Sequence, residues 1–128
     1  MDTCPDKISV AVFLAALMPD CVHEPSYVLD QLDKWTPAGA SLDTELFSFG
    51  DPQQPSTAFL FGPKFVSNLY NLCSDEDVAL GMMLRRPSCR FAEDLSKKSP
   101  FSKERFGSVK RVYIVCTHDK GMNVNFQR

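Results

Sequence analysis

Long apolar runs are missing from this chain of 128 residues. None approaches the roughly 20 residues of a membrane-spanning helix, and the opening M-D-T-C-P-D-K carries no signal-peptide pattern. The expectation is a cytoplasmic protein with no membrane partner. Clustered positive charge is equally scarce: the formal net charge is −2, and basic clusters are confined to Arg85 with Arg86 and Lys97 with Lys98. No electrostatic footprint for nucleic acid results. The five cysteines, Cys4, Cys21, Cys73, Cys89 and Cys116, include no C-x-x-C pair, so neither a disulfide framework nor a zinc site is indicated, and reduced, packed thiols are expected. Metal-ligand spacing, a Walker A loop and a Rossmann glycine pattern are all lacking, and no cofactor or metal is expected. A G-x-S-x-G nucleophile motif is lacking too, because Ser41 in G-A-S-L-D and Ser108 in F-G-S-V-K want the flanking glycines of a strained strand-to-helix turn. Internal repeats and low-complexity segments do not occur.

What is there is organised around Val109 to Asp119, V-K-R-V-Y-I-V-C-T-H-D. Its β-branched and aromatic run suits a parallel strand covered on both faces. Thr117 to Gly121 then leaves the sheet at its carboxyl end, where open α/β sheets place their ligands. Ile8 to Ala16 is the other such strand, and Pro5 breaks any helix before it. Between the two, Pro25 to Leu32 reads as a short amphipathic helix closed by Trp35. Leu42 to Phe49 and Thr57 to Phe61 read as a strand pair across a Pro-containing loop, Gly50 to Pro55. Gly62-Pro63 opens a helix, Ser74 caps a second with Asp75, Glu76 and Asp77 in its first turn, and Pro87 stops that one. Phe91 to Lys98 is a further short helix. An insert of this size exceeds what a crossover needs. The expectation is an α/β protein with two core strands, over 1–20 and 104–128, flanking a mostly helical lid with a small hairpin over 21–103.

Position makes Asp119 a candidate catalytic acid, with a solvated turn residue as the alternative. Its neighbour His118 points the other way if the strand pattern continues, so the two are not expected to pair. Cys116 and His118 share a face and allow a thiol and imidazole pair, against a packed thiol beside a surface histidine. His23 has no fixed partner in sequence. The aromatic and methionine side chains of the insert, Phe47, Phe61 and Met82 among them, form a lid's own core or line an apolar ligand pocket.

Four segments carry a resemblance: A-V-F-L-A-A-L-M-P-D from Ala11, L-F-G-P-K-F from Leu60, E-D-L-S-K from Glu93 and E-R-F-G-S-V-K-R-V-Y-I-V-C-T-H-D-K-G from Glu104. In that order they resemble the plant methylesterase and hydroxynitrile lyase family of the α/β-hydrolase fold. The resemblance implies that this is an internal piece of that fold, that the insert is the cap, and that Asp119 is the acid of a Ser, Asp, His triad whose serine and histidine lie outside these residues. It implies an apolar or aromatic methyl ester of the salicylate, jasmonate or indole-3-acetate type as small-molecule partner. Met18, Tyr27, Ser41, Phe47, Leu60 and Phe61 are then the candidate substrate contacts, Ser41 standing where the family commonly has a tryptophan. The alternatives are a hydroxynitrile lyase relative and a non-catalytic binder that keeps the cap pocket. After Gly121, M-N-V-N lacks the proline expected there, which suggests an altered tail.

Overall fold

Ala11–Leu14 (β1) and Arg111–Ile114 (β5) lie side by side and parallel, Ala11 opposite Arg111 and Leu14 opposite Ile114. This computed structural model describes residues 1–128, apart from the side chains at positions 54 and 55. Both strands are shorter than the apolar runs that contain them, and neither is covered on both faces. Burial alternates along each strand: Val12 is 55% exposed, Leu14 60%, Val112 40% and Ile114 47%. A strand's side chains alternate between faces, and here the chain packs against one face only. Within these residues the other face stays open, short of the expected double coverage.

The chain divides into two compact units, Met1–Thr36 with Ala92–Arg128, and Pro37–Phe91. In the first, the amino-terminal segment is tied across residues 102–106: Asp2 Oδ1 accepts from the Ser102 and Phe106 amides at 3.2 Å each, and Arg105 donates to the Thr3 carbonyl at 2.6 Å. Pro5 opens a short 3-10 turn, Pro5–Lys7, instead of preventing one, because a proline at the first helical position gives up no needed donor. Phe106 and Val109 are buried, Phe101 stacks on Phe106 at 4.7 Å, and the Arg111 guanidinium lies 5.0 Å from the Phe106 ring. Helix α1 (Tyr27–Trp35) buries Leu29 and belongs to this unit, as do α4 (Ala92–Ser96) and α5 (Val124–Gln127). Asn123 donates to the Trp35 carbonyl at 3.3 Å, satisfying one of the acceptors a helix end leaves open.

The second unit carries about as much strand as helix. Glu45–Asp51 (β2) and Gln54–Leu60 (β3) pair antiparallel, and Ser88–Cys89 (β4), which the sequence pattern does not announce, adds a third strand beside β3. The connection is tighter than the expected six-residue loop. Pairing runs out to Asp51 opposite Gln54, leaving a two-residue turn. Gly50 at φ +89° takes a left-handed conformation next to it, and Asp51 Oδ1 accepts from the Gln53 amide at 2.9 Å. Helix α2 (Pro63–Leu69) has its cap supplied from a distance: Asp43 accepts from the Lys64 amide at 2.9 Å and the Phe65 amide at 3.0 Å. Burial opposes the charge on that carboxylate, but the two amides outweigh it and lower the pKa. Helix α3 (Asp75–Leu84) is capped by Ser74, which accepts from the Asp77 amide at 3.2 Å. At its far end Arg85 donates to the Phe61 carbonyl at 2.7 Å. No helix among the described residues is long and apolar enough to cross a membrane.

Candidate active site

Beyond Ile114 the chain folds into a loop that one side chain holds closed. Gln127, buried at the end of α5, accepts from the Cys116 amide at 2.9 Å and donates to the carbonyls of Cys116 at 3.1 Å and Met122 at 2.6 Å. Its primary amide has both donors and acceptors, and here it uses both kinds. Asn123 makes this possible by capping α5, accepting from the Asn125 and Phe126 amides at 3.0 Å each. The segment after Met122, where a proline is expected, forms a capped helical turn, N-V-N-F-Q. The asparagine ahead of an apolar residue was the signal available.

Inside that loop sits Asp119, half-buried. Its Oδ1 accepts from the Gly121 amide at 2.7 Å and the Met122 amide at 3.0 Å, while its own amide donates to the Cys116 carbonyl at 3.3 Å. Oδ2 makes no hydrogen bond among the described residues. One oxygen is thus fixed by backbone and the other is available to a donor. His118 is not that donor: its ring approaches the Thr117 hydroxyl at 3.2 Å, on the exposed side. No hydrogen bond joins Cys116 to His118 among the described residues.

Tyr113 connects the two strand ends, donating from its hydroxyl to the Ala16 carbonyl at 2.8 Å. Burial raises its phenol above the usual range, and the negative charge of Asp119 adds to the effect. Ala15, next to this carbonyl, is held at φ +40° with its amide donating to Ile114 O at 3.1 Å. A residue with a Cβ in that region is strained, and such strain gathers at ligand sites.

A cleft of about 630 Å³ opens beside these strand ends, with Met18, Tyr27, Trp35, Tyr113 and Phe126 among its walls. Two of the six candidate substrate contacts, Met18 and Tyr27, line it. The other four belong to the second unit: Ser41 lies in an exposed turn, Phe47 on β2, Leu60 at the end of β3, and Phe61 stacks on Phe65 at 4.3 Å. The sequence reading missed the partners of His23. Asp20 accepts from the His23 and Val22 amides at 2.8 Å each and lies 2.7 Å from His23 Nδ1, and the imidazole stacks on Tyr27 at 3.8 Å. Burial would raise the Asp20 carboxyl, but these hydrogen bonds prevail and lower it from 3.8 to about 2. No group of three or more His, Cys, Asp or Glu side chains able to hold a metal occurs among the described residues.

No protein-family model matches the chain. Individual relatives do. It is 57% identical over 129 residues to salicylic acid-binding protein 2 of Nicotiana tabacum, covering 100% of this chain and 50% of that one. It is 48% identical to norfluorocurarine synthase 1 of Strychnos nux-vomica, covering 99% and 48%, and 46% identical to methylesterase 1 of Arabidopsis thaliana, covering 100% and 49%. The crystal structure of polyneuridine aldehyde esterase superposes with a TM-score of 0.96 at 44% identity, covering 99% of this chain and 50% of that one. A partial α/β-hydrolase fold is the class these matches define. The chain belongs to the plant methylesterase family of that fold, and it spans about half the length of the relatives it matches.

Proposed function

We propose that these 128 residues supply the cap and the triad acid of a carboxylic-ester hydrolase acting on apolar or aromatic methyl esters of the salicylate, jasmonate or indole-3-acetate type. One observation carries the reading. Asp119 has Oδ1 pinned by two backbone amides and Oδ2 unengaged, at the carboxyl end of β5. In serine acyl transfer the acid orients an imidazole and stabilises its cation, a task that needs one oxygen held and the other presented. The names of the tobacco and Arabidopsis relatives, one a salicylic acid binder and one a methylesterase, support the substrate class. Met18 and Tyr27 are assigned to substrate contact, and a cytoplasmic location goes with the reading.

The test is a chimaera in which these residues replace the 129-residue matching stretch of the tobacco relative. Hydrolysis of methyl salicylate, methyl jasmonate and methyl indole-3-acetate is then measured beside an Asp119→Asn variant. The expected outcome is turnover of at least one ester, reduced about 10⁴-fold in kcat by the substitution. A folded chimaera that hydrolyses none of them overturns the proposal. The 128-residue chain alone, which contains no G-x-S-x-G, is expected to show no turnover above a buffer blank.

A further inference from the structure

Asp119 and Gln127 share no hydrogen bond among the described residues, yet two peptide groups join them. The Cys116 carbonyl accepts from the Asp119 amide at 3.3 Å and from Gln127 Nε2 at 3.1 Å. Met122 is shared in the same way: its amide donates to Asp119 Oδ1 at 3.0 Å and its carbonyl accepts from Gln127 Nε2 at 2.6 Å. Any shift of Gln127 therefore reaches Asp119 by two routes, one through its backbone and one through its carboxylate. Members of such a network are coupled, so the effect of changing one depends on the other.

Side-chain chemistry makes glutamine hard to replace here. A primary amide has two N–H donors and an accepting oxygen, and Gln127 commits both donors to carbonyls and its Oε1 to the Cys116 amide. It is buried, so losing its amide leaves backbone groups unsatisfied rather than hydrated. Asparagine carries the same amide on a chain a methylene shorter, and methionine matches the length without the donors. Two nearby groups do not steer Asp119 Oδ2: the Tyr113 hydroxyl donates to the Ala16 carbonyl at 2.8 Å, and the His118 ring approaches the Thr117 hydroxyl at 3.2 Å.

We infer that Gln127 is a positioning residue for the ester hydrolysis: through the Cys116 and Met122 peptides it sets the direction in which Asp119 presents Oδ2 to the catalytic imidazole. The inference rests on the proposed function, which makes Asp119 the triad acid. Direction matters because the acid works by a hydrogen bond that holds the imidazole and stabilises its cation. A misplacement of about 1 Å in such a group costs on the order of a hundredfold in rate.

The ester-hydrolysing chimaera is compared with its Gln127→Met and Gln127→Asn variants, below their melting temperatures and per folded molecule. Gln127→Met should lower kcat about 10–100-fold with KM unchanged. The acid limb of its kcat/KM profile should move to lower pH, because an imidazolium that has lost part of its carboxylate support gives up its proton more readily. A residue that only holds the fold together changes the melt and leaves that limb in place. In the Asp119→Asn background Gln127→Met should cost no further kcat, since its route of action is gone. Should Gln127→Met fail to fold, Gln127→Asn decides by the same readouts, with a smaller loss. An unchanged kcat and acid limb in the folded variant overturn the inference, as does an equal kcat loss in the Asp119→Asn background. A chimaera that folds and hydrolyses no ester removes the proposed function and this inference together, whereas turnover lost on Asp119→Asn and kept on Gln127→Met removes this inference alone.

Discussion

Asp119 and Gln127 divide the labour of the β5 loop, and they were not equally visible in sequence. Asp119 could be singled out because a polar break after an apolar run marks the ligand end of a parallel strand. Gln127 could not, since a lone glutamine reveals nothing of three backbone partners at 2.9, 3.1 and 2.6 Å. Substituting each separates their roles. Asp119→Ala removes the acceptor of two amides and should cost about 1 kcal/mol in a urea melt, whereas Asp119→Asn keeps an Oδ1 acceptor and should cost much less. Gln127→Leu leaves the Cys116 amide and two carbonyls without their partner, and should destabilise the chain more than Asp119→Ala does. A melt that ranks them in the opposite order would show that the loop is held otherwise. On the cleft wall, Asp20 sets a pH dependence. Its carboxyl is lowered in the folded chain, so its stabilising contribution is complete above its ordinary 3.8 and fades as pH falls toward about 2. The His23 to Tyr27 stack should loosen over that window, read from the His23 proton shifts, and Asp20→Asn should abolish the dependence.

Among the elements, the helices were legible where the caps were local. Ser74 with three acids behind it predicts the start of α3, and the structure places the cap on the Asp77 amide. Helix α2 was legible only by its Pro63, because its cap is Asp43, 21 residues away in sequence. Short-range pattern reading has no access to such a partner. The two-residue turn after β2 and the third strand β4 escaped for a related reason: ladder pairing is decided by neighbours across the sheet. The distant cap makes Gly62 critical. A Cβ there would overlap the backbone oxygen and the carboxyl group of Asp43. Gly62→Ala should therefore destabilise the second unit by about 1–3 kcal/mol, the range of a forced steric insertion. Asp43→Ala in the same background should reverse part of that loss, measured by thermal melts of the single and double variants.

For the whole chain, the parallel pairing of β1 with β5 agrees with the α/β reading, while the open apolar face does not follow from the runs themselves. A continuous apolar strand declares what it is able to bury, and only tertiary contacts decide what is buried. Val12, Leu14, Val112 and Ile114 on that face should make the 128-residue chain bind a hydrophobic dye strongly and associate in proportion to its concentration. Val12→Lys with Ile114→Lys should suppress both; a wild-type chain that stays monomeric and dye-free would mean that the face is covered in solution. The same pairing sets a timetable at the ribosome. Ala11 meets Arg111, a partner made 100 residues later. At about 5–20 residues per second, β1 waits on the order of ten seconds for β5. The second unit, Pro37–Phe91, is fully synthesised within that interval, so it is free to finish folding before the strand that brackets it has found its mate. Synonymous codon changes that slow translation between the two strands lengthen that wait, and should lower the soluble yield while leaving the sequence unaltered.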